Sequence, residues 1–135
     1  MPIFRRKPKP PPAISIELPP GEEIERAVSA ELLRGKQVLQ GALFMTNRRL
    51  MFEARSGEAR WMIVPYDHVA AAGLYPAPNP HLGGAPSRRQ CLCIETTNGE
   101  QVWWNFGDKD EREWLPLVQA KAASVRTEAA DGGDS

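Results

Sequence analysis

Residues 41 to 55, GALFMTNRRLMFEAR, carry apolar side chains at alternate positions on both sides of Thr46-Asn47-Arg48-Arg49. Period-two alternation suits a half-buried strand, because successive side chains point to opposite faces. A polar break between two such runs makes a hairpin. Leu43 and Met45 before the break, with Leu50 and Phe52 after it, then face one core. A chain built from such pieces is an antiparallel β protein, in which a one-residue slip would turn the whole apolar set toward water.

The same period runs through most of the chain. Ile24, Val28, Ala30 and Leu32 share a face, and Arg34-Gly35-Lys36 reads as the next turn. Ser56-Gly57-Glu58 closes the quoted hairpin, and RWMIVP (60 to 65) starts a strand with Trp61 and Ile63 on one side. A further strand is expected between Tyr66 and Tyr75 around Val69 and Ala71. PAPNPHLGGAPS (76 to 87), with four prolines and two glycines, reads as a long loop. For the last hairpin, a two-residue Asn98-Gly99 turn would pair Ile94 with Trp103 and Leu92 with Asn105, mixing apolar and polar partners. A three-residue loop, Thr97-Asn98-Gly99, with Gly99 left-handed, instead puts Leu92, Ile94, Val102, Trp104 and Phe106 on one face. That register turns Cys91, Cys93 and Trp103 outward.

After Gly107 the period becomes helical. Asp108 followed by Glu111 has capping-box spacing, and Trp114, Leu115, Val118, Ala122 and Val125 recur at helical intervals. A helix over about 109 to 125 is predicted, with Trp114 and Val118 laid over the core. Pro116 inside it removes the bond to the carbonyl of residue 112 and predicts a kink or an irregular first turn.

The 135 residues suit one domain, residues 21 to 125, between two tails. Residues 1 to 20 hold Arg5, Arg6, Lys7 and Lys9 and then six prolines, a composition that favours extended polyproline and buries little. Residues 126 to 135 are small and acidic and are expected to be disordered. The formal net charge is zero, and the span between the tails is nearly neutral. That argues against a nucleic-acid partner, which calls for a basic folded surface. No apolar run approaches a membrane span, and the basic N-terminus leads into prolines rather than a signal sequence. A cytoplasmic protein is expected. Cys91 and Cys93 are too few for a disulfide framework. With His68 and His81 they lack the paired spacing of a zinc site, so no metal, cofactor or catalytic constellation is expected.

About seven strands followed by one amphipathic helix resembles the pleckstrin-homology superfamily, and more narrowly the GRAM domain. The likeness is carried by Gly41-x-Leu43-x-Met45-Thr46-x-x-Arg49-Leu50-x-Phe52. Ile63-x-Pro65, Leu92-x-Ile94-x-Thr96-x-x-Gly99 and Glu113-Trp114-Leu115 add to it. It covers roughly residues 21 to 124. Twelve arginines against five lysines hint at a bacterial member. The resemblance implies a seven-stranded antiparallel, partly open barrel capped by one C-terminal helix. It also implies a non-enzymatic binding or adaptor module, for which a protein partner is the expected ligand. Anionic phospholipid is the alternative, because eukaryotic members are associated with membranes. The candidate anion or lipid contacts are Arg34, Lys36, Arg48 and Arg49. Arg5, Arg6, Lys7 and Lys9 are candidate tail contacts with an anionic membrane surface, and outward Trp103 is the candidate partner surface unless Ile14 and Ile16 cover it.

Overall fold

In the computed structural model, the described residues are 17–35, 37–55, 61–78, 86–106 and 111–132. Seven strands are followed by one helix: β1 Ile24–Arg34, β2 Gln37–Thr46, β3 Arg49–Ala54, β4 Trp61–Pro65, β5 Val69–Pro78, β6 Pro86–Thr96, β7 Gln101–Asn105 and α1 Glu111–Gly132. A single 3₁₀ turn, Tyr66–His68, joins β4 to β5. The strands form one antiparallel sheet in the order β4-β3-β2-β1-β7-β6-β5. β4 and β5 are its two edges, so the barrel stays open.

The core follows the period-two reading over most of the chain. Leu43, Met45, Leu50, Phe52, Leu92, Ile94, Val102, Trp104 and Phe106 are all buried with Val28, Ala30 and Leu32. On α1, Trp114, Val118 and Ala122 are buried at four-residue intervals. The Trp114 ring meets Phe106 edge-on at 5.2 Å. The helix is tied to the start of β1 by ion pairs of Arg26 with Glu113 and Lys121 with Glu25. The last hairpin has the three-residue loop: Thr96 and Glu100 close it through a 2.8 Å backbone bond. Gly99 sits at φ +87°, where a side chain would be strained.

Four expectations are corrected. Ile63 is not core; it is 45% exposed. In the β3–β4 register Leu50 faces Val64 and Phe52 faces Met62, so Met62 and Val64 point inward. RWMIVP is apolar in both phases. The choice between them matches that of Tyr66, which follows in the same parity, is buried and donates its hydroxyl to the Thr46 carbonyl. Burial holds the Tyr66 phenol far above its ordinary value, so it stays a donor at any ordinary pH. Ile24 is 37% exposed because a bulge between Ile24 and Arg26 shifts the face.

The expected loop from 76 to 87 shrinks, because Pro76 to Pro78 finish β5 and Pro86 begins β6. Pro76 and Pro78 are tolerated because β5 is an edge strand, and Pro86 because it is the first residue of β6. Finally, α1 extends to Gly132, through residues expected in the acidic tail. Glu128, Ala129 and Ala130 are good helix formers and carry it on.

Pro116 lies inside α1 on its exposed side. Replacing it with alanine restores an N–H to the helix without touching the core. Pro116→Ala is expected to raise stability by about 1 to 3 kcal/mol, read as an upward shift of the thermal midpoint. A lower midpoint would mean the proline ring fixes the helix's entry angle.

Candidate functional site

Thr46-Asn47-Arg48-Arg49 forms a clasp. The Thr46 hydroxyl accepts from the backbone N–H groups of Arg48 and Arg49 at 3.1 and 3.0 Å, shaping the turn. It donates at 2.7 Å to a carboxylate oxygen of Glu22. The Arg49 guanidinium holds both oxygens of the same carboxylate, at 2.9 and 3.0 Å. Asn47 receives the Glu23 N–H at 2.8 Å and gives its amide to the Gly21 carbonyl at 2.9 Å. The Arg48 guanidinium reaches the Pro20 carbonyl at 3.4 Å. The turn therefore fastens the segment entering β1 against the end of β2.

Burial of Glu22 raises the cost of its charge, yet the bonds from Arg49 and Thr46 and the charges of Arg49 and Arg48 outweigh it. The carboxyl is held below its ordinary value.

Of the four candidate anion contacts, the three that are described do not converge. Arg34 ends β1 and Arg48-Arg49 follow β2, at opposite ends of a ten-residue strand that spans about 33 Å. Arg34 is bound through two nitrogens to the Glu100 carboxylate, which joins the β1–β2 and β6–β7 turns. Lys36 lies outside the described residues, as do Arg5, Arg6, Lys7, Lys9, His81, Ile14, Ile16 and Asp108. Asp67 and His68 fall in the 3₁₀ turn rather than on a strand, 3.9 Å apart and exposed. Among the described residues no three His, Cys, Asp or Glu side chains gather as metal ligands would.

The outer face of β5, β6 and β7 does bring residues together. Register aligns Gly73, Cys93, Trp103, Leu33 and Val38 in one row across five strands. Cys93 and Cys91 are buried although they face outward; both are unbridged. Burial, followed by the charge of Glu95, pushes the Cys93 thiol up to about 11, so it remains a protonated, unreactive apolar filler.

Trp103 is half-buried, and its indole N–H is buried with no acceptor among the described residues. Tyr75 is 59% exposed, and its ring lies across Gly73: a Cβ there would come within 2.4 Å of Cε2. Between Tyr75 and Trp103 runs a groove of about 250 Å³ lined also by Ala71, Ala72, Pro76, Cys93, Glu95 and Gln101. Glu95 is exposed and makes no ion pair among the described residues. Trp103 was legible as an outward aromatic. In the sequence Tyr75 marks only a strand boundary, because nothing local says that β5 runs past it.

A second groove, of about 300 Å³, lies between β4 and the β6–β7 turn, with Trp61, Ile63, His68 and the Arg34–Glu100 pair on its walls. Exposed Ile63 lies on this groove.

No protein-family model matches the chain, and a search of curated proteins finds no relative. Solved structures do match. The chain is similar to the Vps36 N-terminal PH domain at TM-score 0.62 and 16% identity, over 82% of this chain and 86% of that one. The fold is that of a pleckstrin-homology-like domain. A second structure, the C-terminal domain of an unknown protein from Leishmania infantum, matches at TM-score 0.54 and 16% identity, over 76% of this chain and 86% of that one. At such identity the likeness is one of fold, so ligand chemistry has to come from this chain's own PH-like surface. On that surface no helix among the described residues is long and apolar enough to cross a membrane.

Proposed function

We propose that this chain is a non-enzymatic binding module that contacts a protein partner through the outer face of β5, β6 and β7. Tyr75 carries the reading. A tyrosine 59% exposed on a sheet face, beside a tryptophan and over a small-residue floor, is the kind of anchor on which interface energy concentrates. The Gly41-to-Phe52 pattern and the arginine bias support a narrower kinship with bacterial GRAM domains. The cations at Arg5, Arg6, Lys7 and Lys9 add attraction to an anionic membrane of about 1 kcal/mol each near the surface. That supports a cytoplasmic protein with peripheral membrane contact. Phospholipid as the ligand of the barrel itself is less well supported, since Arg34 and Arg49 already hold carboxylates.

A photo-cross-linking residue in place of Tyr75, in the full-length chain in its own cells, tests the reading. One protein is expected to be captured from position 75 and not from a control at exposed Ala120 on α1. The Gly73→Ala change, whose Cβ crowds the side chain at position 75, should reduce the capture while leaving the fold intact. Equal capture at both positions would sink the reading. Salt-sensitive binding to anionic vesicles by a chain lacking residues 1 to 12 would move the ligand to lipid.

A further inference from the structure

We infer that the groove between Tyr75 and Trp103 receives an arginine side chain of the partner protein. The inference rests on the reading of this face as a protein-binding surface and names the chemistry of what binds there. The walls come first. Gly73, Cys93 and Trp103 are paired in one row across β5, β6 and β7, and the Tyr75 ring lies over Gly73. The tyrosine ring and the Trp103 backbone therefore stand on either side of Cys93, two strand spacings or about 10 Å apart. That gap takes a single side chain between aromatic surfaces.

The charge comes next. Glu95 follows Cys93 on the same side of β6, about 7 Å along the strand, paired with Ala71 on one flank and Gln101 on the other. It is exposed, and it is the one charged group among the described side chains of β5, β6 and β7. Both flanking residues are neutral, so among the described residues no cation answers it. A carboxylate in that position repels a phosphate head group and attracts a cation. Charge complementarity thus favours a basic protein segment over an anionic lipid on this face.

Arginine suits the set better than lysine. Its guanidinium is planar and weakly hydrated, so its face stacks on a ring while its edge gives two parallel bonds to a carboxylate. An ammonium is a compact, strongly hydrated charge and gains less from the walls. Gln101, exposed beside Glu95, offers an amide oxygen to a further guanidinium N–H. The Trp103 indole N–H is buried and takes no part; Trp103 contributes ring surface. Tyrosine, tryptophan and arginine are the side chains on which interface energy concentrates. This face supplies the first two, and the partner supplies the third.

A capped Gly-Gly-Arg-Gly-Gly peptide, titrated into the isotope-labelled full-length chain, reads the preference directly. It should move the amide signals of Gly73, Tyr75, Cys93 and Glu95 and leave that of Ala120 in place. The same peptide with citrulline, which keeps the shape and loses the charge, should bind about threefold or more weakly. Glu95→Gln should weaken the arginine peptide about threefold to fivefold, as expected for one exposed ion pair, and leave the citrulline peptide unchanged. Tyr75→Leu should weaken it about twofold to fivefold through the lost ring. Equal binding of the two peptides, or groove signals that move with neither, overturns the inference. Mass mapping of the segment captured by the cross-linker at position 75 gives an independent reading, with an arginine expected close to the linked site. A captured segment without one overturns the arginine inference and leaves the face reading standing. Capture of a second copy of this chain overturns the inference of a separate partner. If the arginine peptide leaves the groove untouched and position 75 captures no more than Ala120, both readings fall.

Discussion

Gly41→Ala is expected to destabilise the protein by about 3 kcal/mol or more, at the upper end for overpacking a core site. Gly41 pairs with Ala54 of β3. A Cβ at Gly41 would lie 2.1 Å from the Glu53 carbonyl oxygen, 2.8 Å from the end of the Phe52 ring and 2.9 Å from the Ala54 Cα. Two of those three atoms are backbone. They cannot withdraw without loosening the β2–β3 ladder, on whose inner side Leu43, Met45, Leu50 and Phe52 pack. Thermal or denaturant unfolding measures the effect. Gly73→Ala is the control, because its clash is with the exposed Tyr75 ring, which swings aside; its cost should stay under about 1 kcal/mol. Equal costs at the two positions would refute the argument that backbone, rather than proximity, sets the penalty.

Glu22→Gln should cost about 2 to 3 kcal/mol, somewhat less than the loss of one partner from a wholly buried pair. The amide keeps the shape and accepts one bond, but it no longer balances the Arg49 guanidinium. Arg49 retains some water, with a side chain 26% exposed against 1% for Glu22, and that softens the loss. The pH dependence has a fixed sign. The Glu22 carboxyl is held below its ordinary value of 4.5 in the folded chain. Its stabilisation is therefore complete above that value and is lost as pH falls through the lower folded one. Unfolding measured between neutral pH and pH 3 should show the parent losing stability below about pH 4.5, and Glu22→Gln losing less over the same interval. Parallel curves would show that the clasp does not carry the acid sensitivity.

Where a residue's role is set by neighbours in sequence, the chain is readable. The Leu92-to-Phe106 hairpin was fixed by a single glycine and by the requirement that five apolar residues share a face. The outer position of Trp103 followed. The β4 phase was not readable, because WMIV is apolar in both parities and the phase carrying Tyr66 and its bond to Thr46 is evident only in three dimensions. The meaning of Arg49 was hidden for the same reason. Arg48-Arg49 looks like an anion contact until Glu22, far upstream in sequence, closes on it through a bidentate bond. Long-range ion pairs leave no periodic trace. The residues that carry the family likeness, Gly41 to Phe52, thus report how the barrel is held together. The groove is built by Tyr75, Cys93, Glu95 and Trp103, which belong to three separate strands and to no contiguous motif.

The central place of β1 has a consequence for the order in which the protein is made. β1 pairs with β2 along its whole length and with β7 only at its far end, through Glu31, Leu32 and Leu33. The first hairpins are local and can close as soon as they leave the ribosome. The second edge of β1 has to wait until β7, the last strand, has been synthesised. Until then Leu32 and Leu33 present an unpaired strand edge, the kind of surface on which nascent chains pair wrongly. Strands β5 to β7 must therefore arrive as a preassembled unit or meet that edge one at a time, and loop closure of this span sets the pace of folding.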